Sequence, residues 1–170
     1  MLERLALIIA VYILVNIVTV RFVVEGASMH PTLTTGQFLV VNRLQYTVDD
    51  PQRGDIVVFH APANPQQDFI KRIIALPGET IEFRASAVYI DGQLLNEPYI
   101  NEACIIQRCP DSILLLGYDE YFVMGDNRNR SSDSRQFGAI ERNRIVGAAT
   151  LRYWPPTQLG WIHRIGFPDG

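Results

Sequence analysis

A nearly unbroken apolar run close to the N-terminus restricts the architecture of this chain more strongly than any other segment. Within residues 5–20 the only polar side chains are those of Asn16 and Thr19. Extended by one further turn, the run is long enough as a helix to cross the hydrocarbon core of a bilayer, about 30 Å, provided that Arg21 reaches the headgroups. We therefore predict a single transmembrane helix over residues 1–24, acting as an anchor.

A cleaved secretory signal peptide is the alternative for the same segment, because it also combines a charged N-terminus with an apolar run. Cleavage after Ala27 would place Glu25 where a small residue is preferred, and the run is longer than a usual signal core of about 7 to 15 residues. These two observations favour the anchor. Arg4 and Arg21 lie on opposite sides of the run, so the charges leave its orientation open.

Composition indicates that the rest of the chain is one packed domain. The protein has 170 residues, of which 48% are hydrophobic and 19% are charged, and this composition is typical of a globular fold. A formal net charge of -3 argues against a nucleic-acid partner held by phosphate contacts. Two cysteines and three scattered histidines do not make up a usual structural zinc site, and we expect neither a metal ion nor another cofactor.

Short β-type runs separated by turn residues follow the apolar segment. They occupy residues 38–41, 56–59, 69–75, 88–90, 121–124 and 145–153. Asp91-Gly92 lies between two apolar stretches and is typical of a two-residue hairpin turn. We predict an all-β fold in which residues 25–80 and 121–170 form an antiparallel β core and residues 81–120 form an inserted β cap.

Cys104 and Cys109 lie five positions apart inside the inserted segment. If this domain lies outside the cytoplasm, we expect them to form a disulfide, which would stabilise the fold by about 2 kcal/mol for so small a loop. Two free thiols are the alternative.

A single lysine stands out among the cationic residues. Of the 15 lysine and arginine residues, only Lys71 is a lysine. Unlike arginine, lysine can lose its proton, and burial lowers its pKa by up to about 3 to 5 units. In a strand, Lys71 would share a face with Phe69 and Ile73, so it is a lone amine on an apolar face. Arg72 has a similar apolar setting on the opposite face, and the ability to titrate is what distinguishes Lys71.

We interpret Lys71 as a candidate general base. An ordinary lysine, with a pKa of about 10.4, is almost fully protonated at pH 7, whereas a working base needs a pKa of about 7.5 to 8. A neutral amine can activate a serine hydroxyl, as serine-lysine pairs do. The alternative is a lysine at a strand edge whose ammonium group stays in water.

Ser28 is the candidate nucleophile. It follows the apolar segment directly, where Gly26 and Ala27 allow another backbone to approach closely and Pro31 favours an extended conformation at His30. Many ordinary turns contain such a serine, so this segment alone does not assign a function.

Four segments resemble, in the same order, the sequence boxes of the bacterial type I (leader) signal peptidases. They are residues 28–33, 54–59, 71–79 and 125–135. Residues 152–155 also resemble the end of the family's sequences, whereas residues 81–120 are too variable to compare. On these motifs the chain is identified as a member of that family.

The resemblance implies a membrane-bound serine endopeptidase that removes signal peptides from exported preproteins after a small-x-small motif. Ser28 would be the nucleophile and Lys71 the general base. The catalytic domain would lie on the extracytoplasmic side of a plasma membrane or a thylakoid membrane. The implied partners are preprotein signal peptides and the lipid bilayer, with no nucleic acid and no obligate protein partner.

The resemblance also implies supporting roles for residues near these two. Ser131 corresponds to a serine that hydrogen-bonds the lysine amine, Asp133 and Arg135 brace the same corner, and Asp126 pairs with Arg72. A solvated loop rich in Asp, Ser and Arg is the alternative for this segment.

Substrate recognition is implied at four apolar residues that could equally be ordinary core, namely Met29, Leu33, Phe69 and Ile70. The chain departs from the family at Gly26, where some members have a serine that helps to stabilise the oxyanion. The backbone N–H of Ser28 remains as one donor, and the second donor is unassigned. We expect Gly26→Ser to be tolerated or mildly activating.

Three other functions are alternatives. Self-cleaving transcriptional regulators use similar chemistry on a similar β core, but they need a DNA-binding head where this chain has an apolar segment. A non-catalytic anchored β module would bind peptides in the same groove. A serine hydrolase could instead use His30, His60 or His163 as its base.

Overall fold

The computed structural model describes residues 2–167. Its helices and strands, in chain order, are α1 (Leu2–Val18), β1 (Thr19–Val23), β2 (Phe38–Asn42), α2 (Gln45–Val48), β3 (Ile56–His60), β4 (Asp68–Ala75), β5 (Thr80–Arg84), β6 (Ala87–Ile90), β7 (Gln93–Leu94), β8 (Ser112–Leu115), β9 (Glu120–Met124), α3 (Ser134–Phe137), β10 (Ile140–Glu141), β11 (Ile145–Trp154) and β12 (Gly160–Trp161). The six predicted β-type runs all coincide with strands, and the antiparallel β fold is confirmed.

Eight strands form the main sheet, and all of their pairings are antiparallel. The order across the sheet is β1-β2-β11-β3-β4-β9-β10, and β12 pairs with β11. β11 is the longest strand and lies between β2 and β3. β4 lies inside the sheet between β3 and β9, whereas β1 lies at an edge.

Alternating side chains along β3 divide the core of the main sheet into two hydrophobic clusters. Ile56 and Val58 pack in one cluster, and Val57 and Phe59 pack in the other. Successive strand residues point to opposite faces, so a continuously apolar strand must be covered on both sides. The first cluster also contains Met29, which anchors the chain that follows β1 in the core.

A second, four-stranded sheet is formed by the chain between β4 and β9, in the order β7-β6-β5-β8. Its predicted hairpin is confirmed, since Asp91 and Gly92 both have positive φ and Ile90 pairs with Gln93 across them. A third hydrophobic cluster, to which β4 and β9 both contribute, joins this sheet to the main one. The division of the chain into a core and an inserted segment of residues 81–120 stays a prediction.

Helix α1 is apolar around its circumference, and its described side chains are largely exposed. Leu7 and Ile8, for example, are each 65% exposed. Among residues 2–167, no helix combines the length and the apolar character that crossing a bilayer requires.

Strand β1 replaces the last part of the helix predicted over residues 1–24. Residues 19–23 pair with β2 in a continuous antiparallel register that ends with Val23 opposite Phe38. β-Branched residues favour the extended backbone, and the sheet provides their peptide groups with partners. Arg21 therefore lies within a strand of the main sheet and not at the end of a membrane helix.

Cys104 and Cys109 form a disulfide in which the two Cα atoms are 6.0 Å apart. The backbone N–H of Cys109 donates to the carbonyl of Ile105, which closes a turn between the two cysteines. Both cysteines are buried in the cluster that joins the two sheets. Nη1 of Arg135 lies 3.2 and 3.3 Å from the two sulfur atoms, so the bridge contacts the loop after β9.

Replacing both cysteines, Cys104→Ala with Cys109→Ala, should lower the free energy of unfolding by about 2 kcal/mol, because the bridge restricts the unfolded chain around a small loop. Urea unfolding of the detergent-solubilised protein, followed by circular dichroism, measures the change. Reduced wild-type protein is the control and should lose a similar amount. An unchanged urea midpoint in the double variant would contradict a stabilising bridge.

Candidate active site

Ser28 lies in a tight turn directly after β1. Gly26 has a φ of +79°, a conformation that glycine adopts without steric strain, and it redirects the chain as β1 ends. The His30 N–H then donates to the Ala27 carbonyl at 3.2 Å. Met29, only 1% exposed, packs into the core. The turn therefore leaves Ser28 facing a groove while the next residue anchors it.

Lys71 reaches the Ser28 side chain from β4. The residue is 4% exposed, and its Nζ lies 2.9 Å from Oγ of Ser28. Nζ also donates to the carbonyl of Ile70 at 2.8 Å and lies 5.3 Å from the centre of the Phe69 ring. The structure thus brings together the two residues predicted to react, at hydrogen-bonding distance.

Burial lowers the pKa of Lys71 from its ordinary value of 10.5 to about 8, because removal of water penalises the charged ammonium. The carboxylates of Asp133 and Asp126 act in the opposite direction and favour the charged form. At a pH close to this pKa, about half of the molecules carry a neutral amine that can accept a proton.

Asp126 and Arg72 form a buried, bidentate ion pair. Nε and Nη2 of Arg72 donate to the two carboxylate oxygens at 2.8 and 2.7 Å, and each side chain is at most 1% exposed. Arg72 also donates to the Gly54 carbonyl, and the hydroxyl of Thr32 donates to Asp126. The pair therefore connects β4, the loop after β9 and the turn that carries the serine.

Asp133, at the end of the same loop, and Arg135, in the first turn of α3, form a second bidentate pair. Nε and Nη2 of Arg135 donate to Asp133 at 2.8 and 2.7 Å, and the Gly125 N–H donates to Asp133 at 3.0 Å. Burial alone would raise the pKa of Asp133, but Arg135 and the Gly125 N–H together hold it below its usual range. Asp133 is thus a negative charge in the surroundings of Lys71.

Ser131 is buried beside these groups and contributes to the lowered pKa of Asp133, but its Oγ forms no hydrogen bond of ordinary geometry in the described part of the chain. The hydrogen bond predicted between Ser131 and the Lys71 amine is thus not formed in this structure. A β carbon placed on Gly125 would overlap both Ser131 Oγ and the carbonyl oxygen of Ser28. Ser131 is therefore packed close to the nucleophile segment across a glycine that has no room for a side chain.

An open groove adjoins the side chains of the serine and the lysine. Of the four residues predicted to bind substrate, Phe69 and Ile70 line it. Met29 and Leu33 do not, because each is 1% exposed and belongs to the core cluster on the inner side of the turn. Eight lining residues were not predicted from the sequence; the first four precede the serine along β1 and its end, and the others lie before Phe69 or in the loop after β9: Arg21, Phe22, Val23, Glu25, Gln66, Gln67, Asp68 and Ser132.

Comparison with known proteins identifies the family. The model of the family described as signal peptidase, peptidase S26, matches residues 1–154. The chain belongs to this family. The family predicted from the four sequence boxes is therefore confirmed, and with it the class of enzyme, a serine peptidase.

Two relatives and one solved structure show how far the similarity to signal peptidases extends. The chain is 38% identical over 159 residues to Signal peptidase I of Bacillus caldolyticus, covering 83% of this chain and 82% of the relative. It is 39% identical over 163 residues to Signal peptidase I of Leptolyngbya laminosa, covering 92% of this chain and 78% of the relative. A crystal structure of a signal peptidase I from Enterococcus faecalis superposes with a TM-score of 0.53 at 38% identity, covering 60% of this chain and 98% of that one.

A third buried ion pair connects the chain between β7 and β8 to the signal peptidase box after β9. Arg128, 1% exposed, donates to Glu97 at 2.8 and 2.5 Å, and its Nε donates to the Gly125 carbonyl at 3.1 Å. The hydroxyl of Tyr99 also donates to Glu97, at 2.8 Å. Sequence reasoning missed this pair because Glu97 and Tyr99 lie outside the four boxes, and only the fold brings them against Arg128.

Three buried carboxylates belong to the ion pairs described above, and each is paired with an arginine: Asp126, Glu97 and Asp133. Within residues 2–167, no group of three or more His, Cys, Asp or Glu side chains is arranged to hold a metal ion. The reactive groups that this signal peptidase site offers are an amine and a hydroxyl.

The structure changes the expectation for Gly26. Within the described residues there is space around this glycine, since nothing lies within 4 Å of the position that a β carbon would take. Its φ of +79°, however, is a conformation that residues with a side chain adopt only with strain. We therefore expect Gly26→Ser to lower stability, and the expectation of a tolerated or activating substitution is withdrawn.

Gly125→Ala should lower kcat/KM by about 100-fold, because the added carbon would push the Ser28 backbone or Ser131 away, and a displacement of about 1 Å at a reacting group costs this much. Hydrolysis of a fluorogenic peptide with a signal peptidase cleavage site measures the change. Gly160→Ala is the matched control, since its β carbon would meet only one carbonyl oxygen, at 4.0 Å. Equal activities of the two variants would show that the close contact at Gly125 is unimportant.

Glu97→Gln should lower the free energy of unfolding by about 3 kcal/mol, because it leaves the buried guanidinium of Arg128 without a counter-charge. Urea unfolding measures the change. Glu82→Gln is the control, because the exposed pair of Glu82 with Arg84 is 3.8 Å long and contributes about 0.5 kcal/mol or less. Similar losses in both variants would mean that the buried pair is no stronger than a surface contact.

Proposed function

We propose that the protein is a membrane-bound serine endopeptidase that removes signal peptides from exported preproteins, with Ser28 as nucleophile and Lys71 as general base. The observation that carries this proposal is the 2.9 Å separation between Nζ of Lys71 and Oγ of Ser28. A buried amine with a pKa of about 8 can be neutral where the hydroxyl proton must be accepted. Membership of the S26 peptidase family agrees with this reaction.

In the acylation step, the neutral amine of Lys71 accepts the Ser28 proton while Oγ bonds to the scissile carbonyl carbon. The carbonyl electrons move to oxygen, and the backbone N–H of Ser28 donates to the resulting oxyanion. When the intermediate collapses, the C–N bond breaks and the leaving amine takes the proton from the Lys71 ammonium. The signal peptide is then an ester of Ser28, and Lys71 is neutral again.

In the deacylation step, the same amine activates water. Lys71 accepts a proton from a water molecule as its oxygen bonds to the ester carbonyl carbon. Collapse of the second intermediate breaks the ester bond, and the proton on Lys71 returns to Oγ of Ser28. The reaction uses side chains and backbone of this chain, so the proposed chemistry requires no cofactor.

Strand β1 is the proposed binding edge for substrate. One edge of β1 pairs with β2, and the other edge has no partner strand among the described residues. The end of β1 lines the same groove as Phe69 and Ile70. An extended peptide can add to such an edge through main-chain hydrogen bonds, with alternate side chains pointing the same way. The side chain preceding the scissile bond and the one two residues before it would then enter the groove, which agrees with a small-x-small preference.

The N-terminal segment is proposed to attach the protein to the membrane through α1, residues 2–18. Exposed apolar side chains cover this helix, and a continuous apolar surface of this kind favours lipid over water. Trp154 and Trp161, 48% and 68% exposed, are of the type enriched at membrane interfaces. Such an anchor would confine the enzyme and membrane-bound preproteins to one surface.

We propose that the catalytic domain lies on the extracytoplasmic side of a plasma membrane or a thylakoid membrane. The disulfide between Cys104 and Cys109 supports this side, because disulfides persist in oxidising compartments. In the same proposal, residues 81–120 form a cap inserted into a core of residues 25–80 and 121–170. No nucleic acid and no obligate protein partner takes part in it.

Lys71→Arg should lower kcat/KM by about 10²- to 10⁴-fold, because the guanidinium keeps the positive charge but cannot release its proton.

In the wild type, kcat/KM should rise about tenfold per pH unit below pH 8 and level off above it, since the active form is the neutral amine. Initial rates of preprotein cleavage in detergent, measured between about pH 6 and pH 10, test both expectations.

A triple variant, His30→Gln with His60→Gln and His163→Gln, is the control for the choice of base. Cleavage should persist in it, whereas a histidine-dependent hydrolase would lose activity. Ser28→Ala should be inactive, which separates an enzyme from a module that only binds peptides. Cleavage by Lys71→Arg at the wild-type rate, or any cleavage by Ser28→Ala, would disprove the proposed pair of Ser28 and Lys71.

A further inference from the structure

Asn127 binds two successive carbonyl groups at the nucleophile. Its side-chain Nδ2 donates to the carbonyl of Ala27 at 3.1 Å, and its backbone N–H donates to the carbonyl of Ser28 at 3.0 Å. The two acceptors belong to the peptide groups before and after the Cα atom of Ser28. The reaction steps described above use neither contact.

The contact with Ala27 is important because the Ala27 carbonyl and the Ser28 N–H belong to the same peptide group. That group is planar and trans, so an interaction that holds the oxygen also holds the direction of the N–H. A hydrogen bond to the carbonyl also polarises the group and strengthens the N–H as a donor. Within residues 2–167, the Ser28 N–H donates to no backbone carbonyl, so it is available to a substrate oxyanion.

The orientation of this peptide group is otherwise weakly held. Gly26 precedes it, and glycine allows many backbone conformations. Besides Asn127, the Ala27 carbonyl accepts one hydrogen bond, from the His30 N–H at 3.2 Å. Because Gly26 also supplies no hydroxyl for the oxyanion, the Ser28 N–H is the donor on which stabilisation of the intermediate depends.

Asn127 is itself held between two buried ion pairs. Its neighbour Asp126 is paired with Arg72, and its neighbour Arg128 is paired with Glu97. The four paired side chains are at most 8% exposed. The backbone on both sides of Asn127 is therefore fixed by groups that cannot move without exposing or unpairing a charge, and its amide is presented to Ala27 in a defined direction.

We propose that Asn127 is a positioning residue for the oxyanion, whose side-chain amide orients the Ala27–Ser28 peptide group so that the Ser28 N–H donates to the tetrahedral intermediate. This inference rests on the proposed function, since it requires Ser28 to attack a peptide carbonyl. The oxyanion develops only after the substrate is bound. The contribution of Asn127 therefore belongs to kcat and not to KM.

Asn127→Ala should lower kcat about 10- to 30-fold and change KM less than about twofold, because loss of an entire oxyanion donor costs about 10²- to 10³-fold and misalignment costs less. The pH at which kcat/KM reaches half of its plateau should not move, since the substitution removes a neutral group. Full-length protein in detergent and a fluorogenic signal-peptide substrate provide these values.

Two peptide ligands separate binding of the oxyanion from binding of the ground state. A substrate-like peptide aldehyde accepts Oγ of Ser28 at its carbonyl carbon, and its oxygen then occupies the oxyanion position. The corresponding peptide alcohol cannot form this bond. In Asn127→Ala the inhibition constant of the aldehyde should weaken by the same factor as kcat, while that of the alcohol stays within about twofold.

Asn129→Ala is the matched control. Asn129 lies in the same loop, and its Nδ2 donates to the Ala103 carbonyl of the inserted segment at 3.2 Å. Its kcat should stay within about twofold of the wild type. Asn127→Asp keeps the shape of the side chain but removes the amide donor, and its kcat should be no higher than that of Asn127→Ala.

A wild-type kcat in Asn127→Ala would overturn the inference, as would equal weakening of the aldehyde and the alcohol. Parallel losses of kcat and melting temperature in the Asn127 and Asn129 variants would also overturn it, because they would indicate a general effect on the loop. Failure of the proposed function is distinguishable from each of these results, since it would appear as absence of cleavage by the wild type or as cleavage by Ser28→Ala.

Discussion

The removal of water from one amine is the constraint on which the rest of this site depends. Lowering the pKa of Lys71 from 10.5 to about 8 corresponds to a penalty on its charged form of about 3 kcal/mol. An exposed lysine would not experience this penalty, so the fold must bury the amine and still leave it in contact with one hydroxyl. The position of β4 between β3 and β9, inside the main sheet, provides that burial. The turn after β1 then brings Ser28 to the end of the buried side chain.

The loop after β9 places two carboxylates near the Lys71 amine, yet the pKa of Lys71 stays low. Asp126 and Asp133 each raise the pKa of Lys71, but burial outweighs them, and each carboxylate is also bound by an arginine in bidentate geometry. Buried ion pairs of this kind contribute little net stability, because desolvation offsets their attraction. Their effect is geometric: they hold the loop close to the nucleophile, and rearranging it would leave a charge buried without a partner.

The sequence allowed some parts of the site to be predicted and not others. Lys71 could be singled out because it is the only lysine of the chain, and its alternation with apolar residues indicated a buried face. Met29 and Leu33 are predicted either to bind substrate or to belong to the core, since an apolar residue next to a nucleophile can point to the groove or to the core, and the structure packs both in a core cluster. In the structure both side chains are 1% exposed and lie in the core.

By itself, the sequence determined the β-rich architecture, the hairpin at Asp91-Gly92 and the family, because these depend on local periodicity, turn chemistry and motif order. Only the tertiary structure decided that residues 19–23 form an edge strand, that Glu97 neutralises Arg128, and that Asn127 reaches the peptide group of the nucleophile. Each of these features depends on which distant segments become neighbours. Partners such as Asn127 and Ala27, 100 positions apart, leave no pattern in a single sequence, because only packing of the whole sheet brings them within hydrogen-bonding distance.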